Sequence, residues 1–129
     1  MTPQPKYLSH VYAHKRCGSV VIGDLLYARG GSFGPRTQMD YQLVVIHSGS
    51  LTLTLDREIL EVPENHGILL SPGHEEYFSF APDCETHHSW VAVAPSALPL
   101  QMRSSIRSEE RRVGKSVGKE CRSRWSPYH

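Results

Sequence analysis

The sequence predicts an all-β domain, an antiparallel sandwich or a closed barrel. Three observations carry that prediction. Apolar runs of about 5–7 residues recur every ~8–10 residues with turn residues between them, the rhythm of short paired strands. Leu51, Leu53 and Leu55 alternate with Thr52 and Thr54, a period of two that puts the leucines on one face of a strand and into the core. No amphipathic segment long enough to join parallel strands lies between the runs. A small open sheet leaves edges exposed, and rolling it shut removes them.

The elements follow in chain order. Residues 1–7, with Pro3 and Pro5, predict a loose arm. "CGSVVIGDLLYARGG" is β-branched in its first half and ends in Gly30-Gly31, which predicts one or two strands. "SFGPRTQMD" predicts a loop punctuated by Gly34-Pro35. From residue 41, "YQLVVIHSGSLTLTLDREILEV" holds two apolar runs split by "HSGS" and a third after Asp56-Arg57. "ILLSPG" predicts a short buried strand ending at a Pro-Gly turn. "EYFSFAP" predicts a strand, "APDCET" a loop and "HHSWVAVAP" a closing strand. "SALPLQMRSSI" is the one helical candidate, and Pro99 allows it only a late start.

Length and charge bound the rest. The chain has 129 residues, room for one domain with a real core. Residues 1–106 carry 7 Lys/Arg and 10 Asp/Glu, a net −3. Residues 107–129 carry 7 against 3, a net +4. The mildly acidic body gives no electrostatic reason to hold nucleic acid. Cys17, Cys84 and Cys121 form no CxxC pair and no even-numbered framework, which predicts a reducing compartment. The N-terminus shows no apolar h-region, and no apolar run approaches the ~20 residues of a membrane span. These features predict a cytoplasmic protein.

Residues 8–96 resemble the small-barrel core of cupins and, more narrowly, the N-terminal effector-binding and dimerisation domain of AraC-type transcription regulators. The features that carry the resemblance are "YQLVVIHSG", the "LTLTLDREILEV" hairpin, "HGILLSPG" and "HHSWVAVAP", in that order. The resemblance implies a cupin-like double-stranded β-helix, a jelly-roll barrel, followed by a short helix start. It also implies a small-molecule effector held inside the barrel and a homodimer. DNA would be reached only through helix-turn-helix modules that lie C-terminal to such domains, and residues 1–106 show no such pattern. The alternative is a stand-alone cupin enzyme, a metal-dependent isomerase or dioxygenase.

The resemblance also marks where a cupin metal would sit: a His pair and a Glu before the "SG" turn, and a His after the Pro-Gly turn. Here those positions fall near Arg36 and Gln38, on Gln42 and on Glu76, with His74 two residues early. None matches in type, and Arg and Gln do not build transition-metal sites. The expectation is a barrel with no metal and no cofactor.

In the family's arabinose-responsive member, a Tyr, a His and a Trp at the spacing of Tyr77, His88 and Trp90 line the sugar pocket, so the resemblance puts these three in the ligand site. Their chemistry agrees. A sugar-like effector needs a flat apolar platform, which Trp90 offers, and fixed donors and acceptors, which Tyr77 and His88 offer. Arg36 and Gln38 are the second choices, Arg36 as a fork for a carboxylate. The competing reading is that Tyr77 and Trp90 are core residues with polar tips and that His87-His88 is a solvated strand end. His47 and His66 border turns and are expected to face solvent. His74-Glu75-Glu76 follows a turn.

Catalytic constellations are thin. Ser71 lacks a Gly-x-Ser-x-Gly elbow. Cys17 and Cys84 lack a neighbour that would lower a thiol pKa. No glycine-rich phosphate loop is visible. The tail, "RSEERRVGKSVGKECRSRWSPYH", resembles the conceptual translation of a common sequencing-library adapter, with "VGK" duplicated. That resemblance divides the chain into a truncated sensor domain, 1–106, and a non-native tail, 107–129, to be left out of fold and function. The alternative for the tail is a basic nucleic-acid arm, diluted by Glu109, Glu110 and Glu120.

Overall fold

In the computed structural model, residues 5–103 are described. The tail at 107–129 and its two readings lie outside the described residues. Eight strands form one antiparallel sheet that rolls into a near-closed barrel, the all-β jelly roll expected. They are β1 (Lys6–Cys17), β2 (Val20–Gln38), β3 (Tyr41–Ser48), β4 (Leu51–Leu55), β5 (Glu58–Val62), β6 (His66–Leu70), β7 (His74–Phe80) and β8 (Thr86–Val93). The order is β5-β4-β7-β2-β8-β3-β6, with β1 on the free edge of β2.

One long strand makes closure possible. The first half of β2 pairs with β8, from Val20↔Val93 to Tyr27↔Thr86. Its second half pairs with β7, from Ser32↔Ser79 to Gln38↔His74. Thus β2 leaves one layer and enters the other, and residues from both layers converge on one interior.

The interior is built by period-two alternation. Leu51, Leu53 and Leu55 are buried, as the sequence predicts, together with Val44, Ile46, Leu70, Phe78 and Phe80. Fully burying a side chain of this kind contributes about 1.5–3 kcal/mol, so this cluster is the main source of stability. The Asp56-Arg57 turn is pinned from below. Asp56 has a left-handed φ of 56°, its Oδ1 accepts from the Glu75 amide at 3.0 Å and its Oδ2 meets His74 Nδ1 at 2.7 Å.

The fold departs from the sequence expectation in two places. Strand β1 begins at Lys6, inside the predicted arm, and eleven of its twelve residues are exposed. It has no apolar face to betray it and is held by its ladder to β2. Residues 32–38, expected as a loop, continue β2 through an irregularity between Phe33 and Arg36. The helical candidate is a 3₁₀ turn at Pro95–Ala97, and helix proper starts only at Leu100. That late start is what Pro99 dictates.

Candidate functional site

The irregularity in β2 creates the site. Across it, Phe33 pairs with Phe78 and Arg36 with Glu76, so β2 spends one more residue than β7 on the same interval. An extra residue switches the parity of a strand. Upstream, odd-numbered Gly23, Leu25, Tyr27 and Phe33 face inward. Downstream, even-numbered Arg36 and Gln38 do. Gly34 makes the switch feasible: its φ is +111°, and a Cβ there would lie 2.7 Å from the Glu76 carbonyl oxygen.

Arg36, Gln38, Gln42 and Glu76 then meet. Arg36 Nη2 and Gln38 Nε2 both donate to Gln42 Oε1, each at 3.1 Å. Gln38 Oε1 accepts from the amides of Met39 and Asp40, at 3.1 and 3.2 Å. The Arg36 guanidinium pairs with the fully buried Glu76 carboxylate, Nε to Oε1 at 3.6 Å, and lies over the Phe33 ring at 4.7 Å. Burial draws Arg36 below its usual pKa, and Glu76 opposes that shift. These are the four positions that the cupin resemblance marks as metal ligands, and they do converge. They carry one guanidinium, two amides and one carboxylate. A guanidinium offers a metal no lone pair, and this one faces the sole carboxylate of the set. The donor set does not fit a cupin metal.

Beside this network lies a cavity of about 130 Å³, walled by Leu25, Tyr27, Phe33, Phe78, Phe80 and Trp90, with Arg36, Gln42, His88 and Pro5 completing the lining. Tyr27 stacks on Phe80 at 4.1 Å between centroids, and burial pushes its phenol up to about 12, so it stays neutral. His88 packs against both rings, 5.5 Å from Tyr27 and 5.1 Å from Phe80. It is only 5% exposed, and neither ring nitrogen hydrogen-bonds to another described protein group. Burial, with a smaller contribution from His87, holds its pKa down to about 4. At neutral pH it is an uncharged imidazole with one donor and one acceptor.

The structure therefore brings His88, Trp90 and Arg36 to one cavity and places Gln38 directly behind it, bonded to Gln42. Tyr77 is not among them. It alternates with inward-facing Glu76 and Phe78 on β7, and it is 38% exposed on the outer surface. His88 is buried, so the solvated strand-end reading does not hold for it. The lining residues that sequence reasoning missed are Pro5, Leu25, Tyr27, Phe33, Gln42, Phe78 and Phe80. The alternation Glu76, Phe78, Phe80 was the available signal for the last two and for excluding Tyr77. The expected solvent-facing His47 is half-buried and bonded to Ser89 Oγ at 2.6 Å. His66 meets the Glu64 carbonyl at 3.0 Å in an exposed setting.

The fold is shared with known proteins. The cupin domain of Schizosaccharomyces pombe Cnp3 aligns with a TM-score of 0.61 at 10% identity, over 70% of this chain and 69% of that one. A cupin-like protein from Thermotoga maritima aligns with a TM-score of 0.56 at 13% identity, over 63% and 62%. The polyketide cyclase RemF from Streptomyces resistomycificus aligns with a TM-score of 0.51 at 21% identity, over 57% and 54%. The alignments thus span 62% and 54% of the latter two proteins. No curated protein sequence matches the chain. The family model of the AraC-like ligand-binding domain matches residues 22–117, a stretch that begins inside β2, contains β3 through β8 and runs on into residues 107–117. By that match, and with a lined cavity inside its barrel, the chain belongs to the AraC-like ligand-binding domain family.

Proposed function

We propose that this domain is the small-molecule sensor of an AraC-type transcription regulator and that its effector is a compact, sugar-like molecule bound inside the barrel. The observation that carries the reading is His88. A buried polar group without a hydrogen-bond partner costs about 1–3 kcal/mol, and this one borders an aromatic cavity. A ligand that both donates to and accepts from the imidazole recovers that cost.

The other walls suit the same ligand. Trp90 and the Phe33, Phe78 and Phe80 rings offer apolar faces to the C–H surface of a sugar ring. Gln42 and Arg36 offer polar atoms to its hydroxyls. The volume agrees with a small ring, since a cavity of about 150 Å³ accommodates benzene. DNA reading falls to helix-turn-helix segments outside this domain, in a cytoplasmic homodimer. The domain is not itself an enzyme in this reading: its one buried carboxylate in the cavity network is taken up by Arg36, Nε to Oε1 at 3.6 Å.

The test is a thermal-shift screen of the full chain against pentoses, hexoses and small carboxylic acids. A ligand at 100 times its Kd stabilises by about 2.7 kcal/mol, which raises Tm by several degrees. The expected result is a sugar-like hit whose shift is lost in His88→Leu. A panel without any hit among the sugars overturns the ligand class, and a hit that His88→Leu binds equally well overturns the site.

A further inference from the structure

On the opposite face of the same sheet, three neighbouring strands bring together side chains that the sensor reading does not use. Asp24 projects from β2, His87 from β8 and His47 from β3, all three half-buried. One ligand atom of each lies within 4.8 Å of those of the other two. We infer that Asp24, His47 and His87 form a binding site for a divalent transition-metal ion on the outer wall of the barrel.

The donor types are right. Two imidazoles and one carboxylate suit Zn²⁺, Ni²⁺ or Cu²⁺ and do not suit Ca²⁺ or Mg²⁺. The framework is right as well. In the β2–β8 ladder Asp24 pairs with Ser89 and Leu26 with His87, and in the β3–β8 ladder Val45 pairs with Ser89 and Ser48 with His87. Ladder pairing fixes where the Cβ atoms of Asp24 and His87 point, and His47 sits at the irregularity of β3 between the paired Ile46 and Ser48. With bonds of about 2.0–2.1 Å, ligand atoms around one ion stand roughly 3.3 Å apart, inside the 4.8 Å within which the three atoms already lie.

The hydrogen bonds already present describe the same centre. Asp24 Oδ1 accepts from His87 Nε2 at 2.5 Å and from Ser89 Oγ at 3.3 Å. Ser89 Oγ also meets His47 Nε2 at 2.6 Å. The rings of His47 and His87 are 4.6 Å apart. An ion takes the place of the His87 Nε2 proton, which is released or carried on Nδ1 instead, and Ser89 remains as an outer-shell support to the carboxylate. Tyr12 flanks the site, its ring 5.4 Å from that of His87, and the His87 and Asp24 side chains stay 24% and 35% exposed, which lets a metal reach them. Burial and the proximity of His87 hold the His47 imidazole below its ordinary pKa, the neutral form that a metal requires.

The test titrates Zn²⁺ alone into the full chain by calorimetry, in parallel with His47→Ala, His87→Ala and His74→Ala. His74 pairs with Asp56 at 2.7 Å elsewhere on the surface and controls for adventitious binding. Because an alanine variant can fail to fold, long-range ¹H–¹⁵N spectra of the unmutated protein provide a second readout. The expected result is a Zn²⁺ site weakened roughly tenfold or more in the His47 and His87 variants, unchanged in His74→Ala, with ring nitrogens of His47 and His87 shifting on saturation. Absence of binding, equal affinity in all four proteins, or nitrogen shifts confined to other histidines overturns the site.

Discussion

The indole of Trp90 lies directly over Gly23: a Cβ placed on that glycine would stand 2.4 Å from Cε2 and 2.5 Å from Nε1 of the ring. Gly23 and Trp90 are register partners on β2 and β8, and the missing side chain is what lets the indole lie against the sheet as a wall of the cavity. Gly23→Ala should therefore displace the ring, at a cost of about 1–3 kcal/mol for overpacking. Tryptophan fluorescence in a Trp125→Phe background, with a melting curve, reads both effects. An unchanged emission maximum and Tm would show that the indole has room elsewhere.

The Arg36–Glu76 pair should behave as a buried ion pair. Glu76 is fully enclosed, so Arg36→Met leaves a buried carboxylate without its guanidinium, and loss of one partner of such a pair costs about 3–5 kcal/mol. Arg36→Met combined with Glu76→Leu removes both charges and should recover much of the loss. Urea denaturation of the single and double variants gives the coupling. Additive losses would mean that the two side chains do not act as a pair.

His88 makes stability depend on pH. Its folded pKa of about 4 lies below the ordinary 6.5, so the unfolded chain binds the proton more readily. The contribution is fully present above pH 6.5 and is lost as pH falls toward 4. A shift of this size corresponds to about 3 kcal/mol. Denaturant midpoints measured between those limits should fall with pH in the unmutated protein, and the fall should flatten in His88→Leu. A slope that survives the substitution would assign the effect to other groups.

Gly34→Ala tests the parity switch. The position combines φ of +111° with a 2.7 Å approach to the Glu76 carbonyl, so an alanine is strained and crowded at once. We expect a loss of about 1–3 kcal/mol and, from displacement of Arg36, weaker effector binding. Unfolding curves and binding titrations that match the unmutated protein would argue that Arg36 reaches the cavity without the bulge.

The parts of the fold legible in the sequence were those that follow from periodicity within one strand. The alternation at Leu51, Leu53 and Leu55 reported a buried face, and His88 and Trp90 share a face for the same reason. The same rule, applied to Phe78 and Phe80, would have turned Tyr77 outward; spacing to Trp90 was the weaker guide. The bulge before Arg36 depends on how β2 pairs with β7, which no single strand records. Strand β1 was hidden because its residues are exposed on both faces. Asp24, His47 and His87 lie far apart in the chain, and only the lateral order β2–β8–β3 makes them neighbours.

In the proposed sensor, ligand enters between Trp90 and His88, on the inner face, and Tyr77 takes no part. Calorimetric titration of a sugar-like hit into the unmutated chain, Trp90→Ala and Tyr77→Ala decides it. Trp90→Ala is expected to weaken binding by roughly tenfold or more, as loss of a stacking wall should, while Tyr77→Ala binds like the unmutated protein. Strong loss in Tyr77→Ala with little change in Trp90→Ala would contradict it.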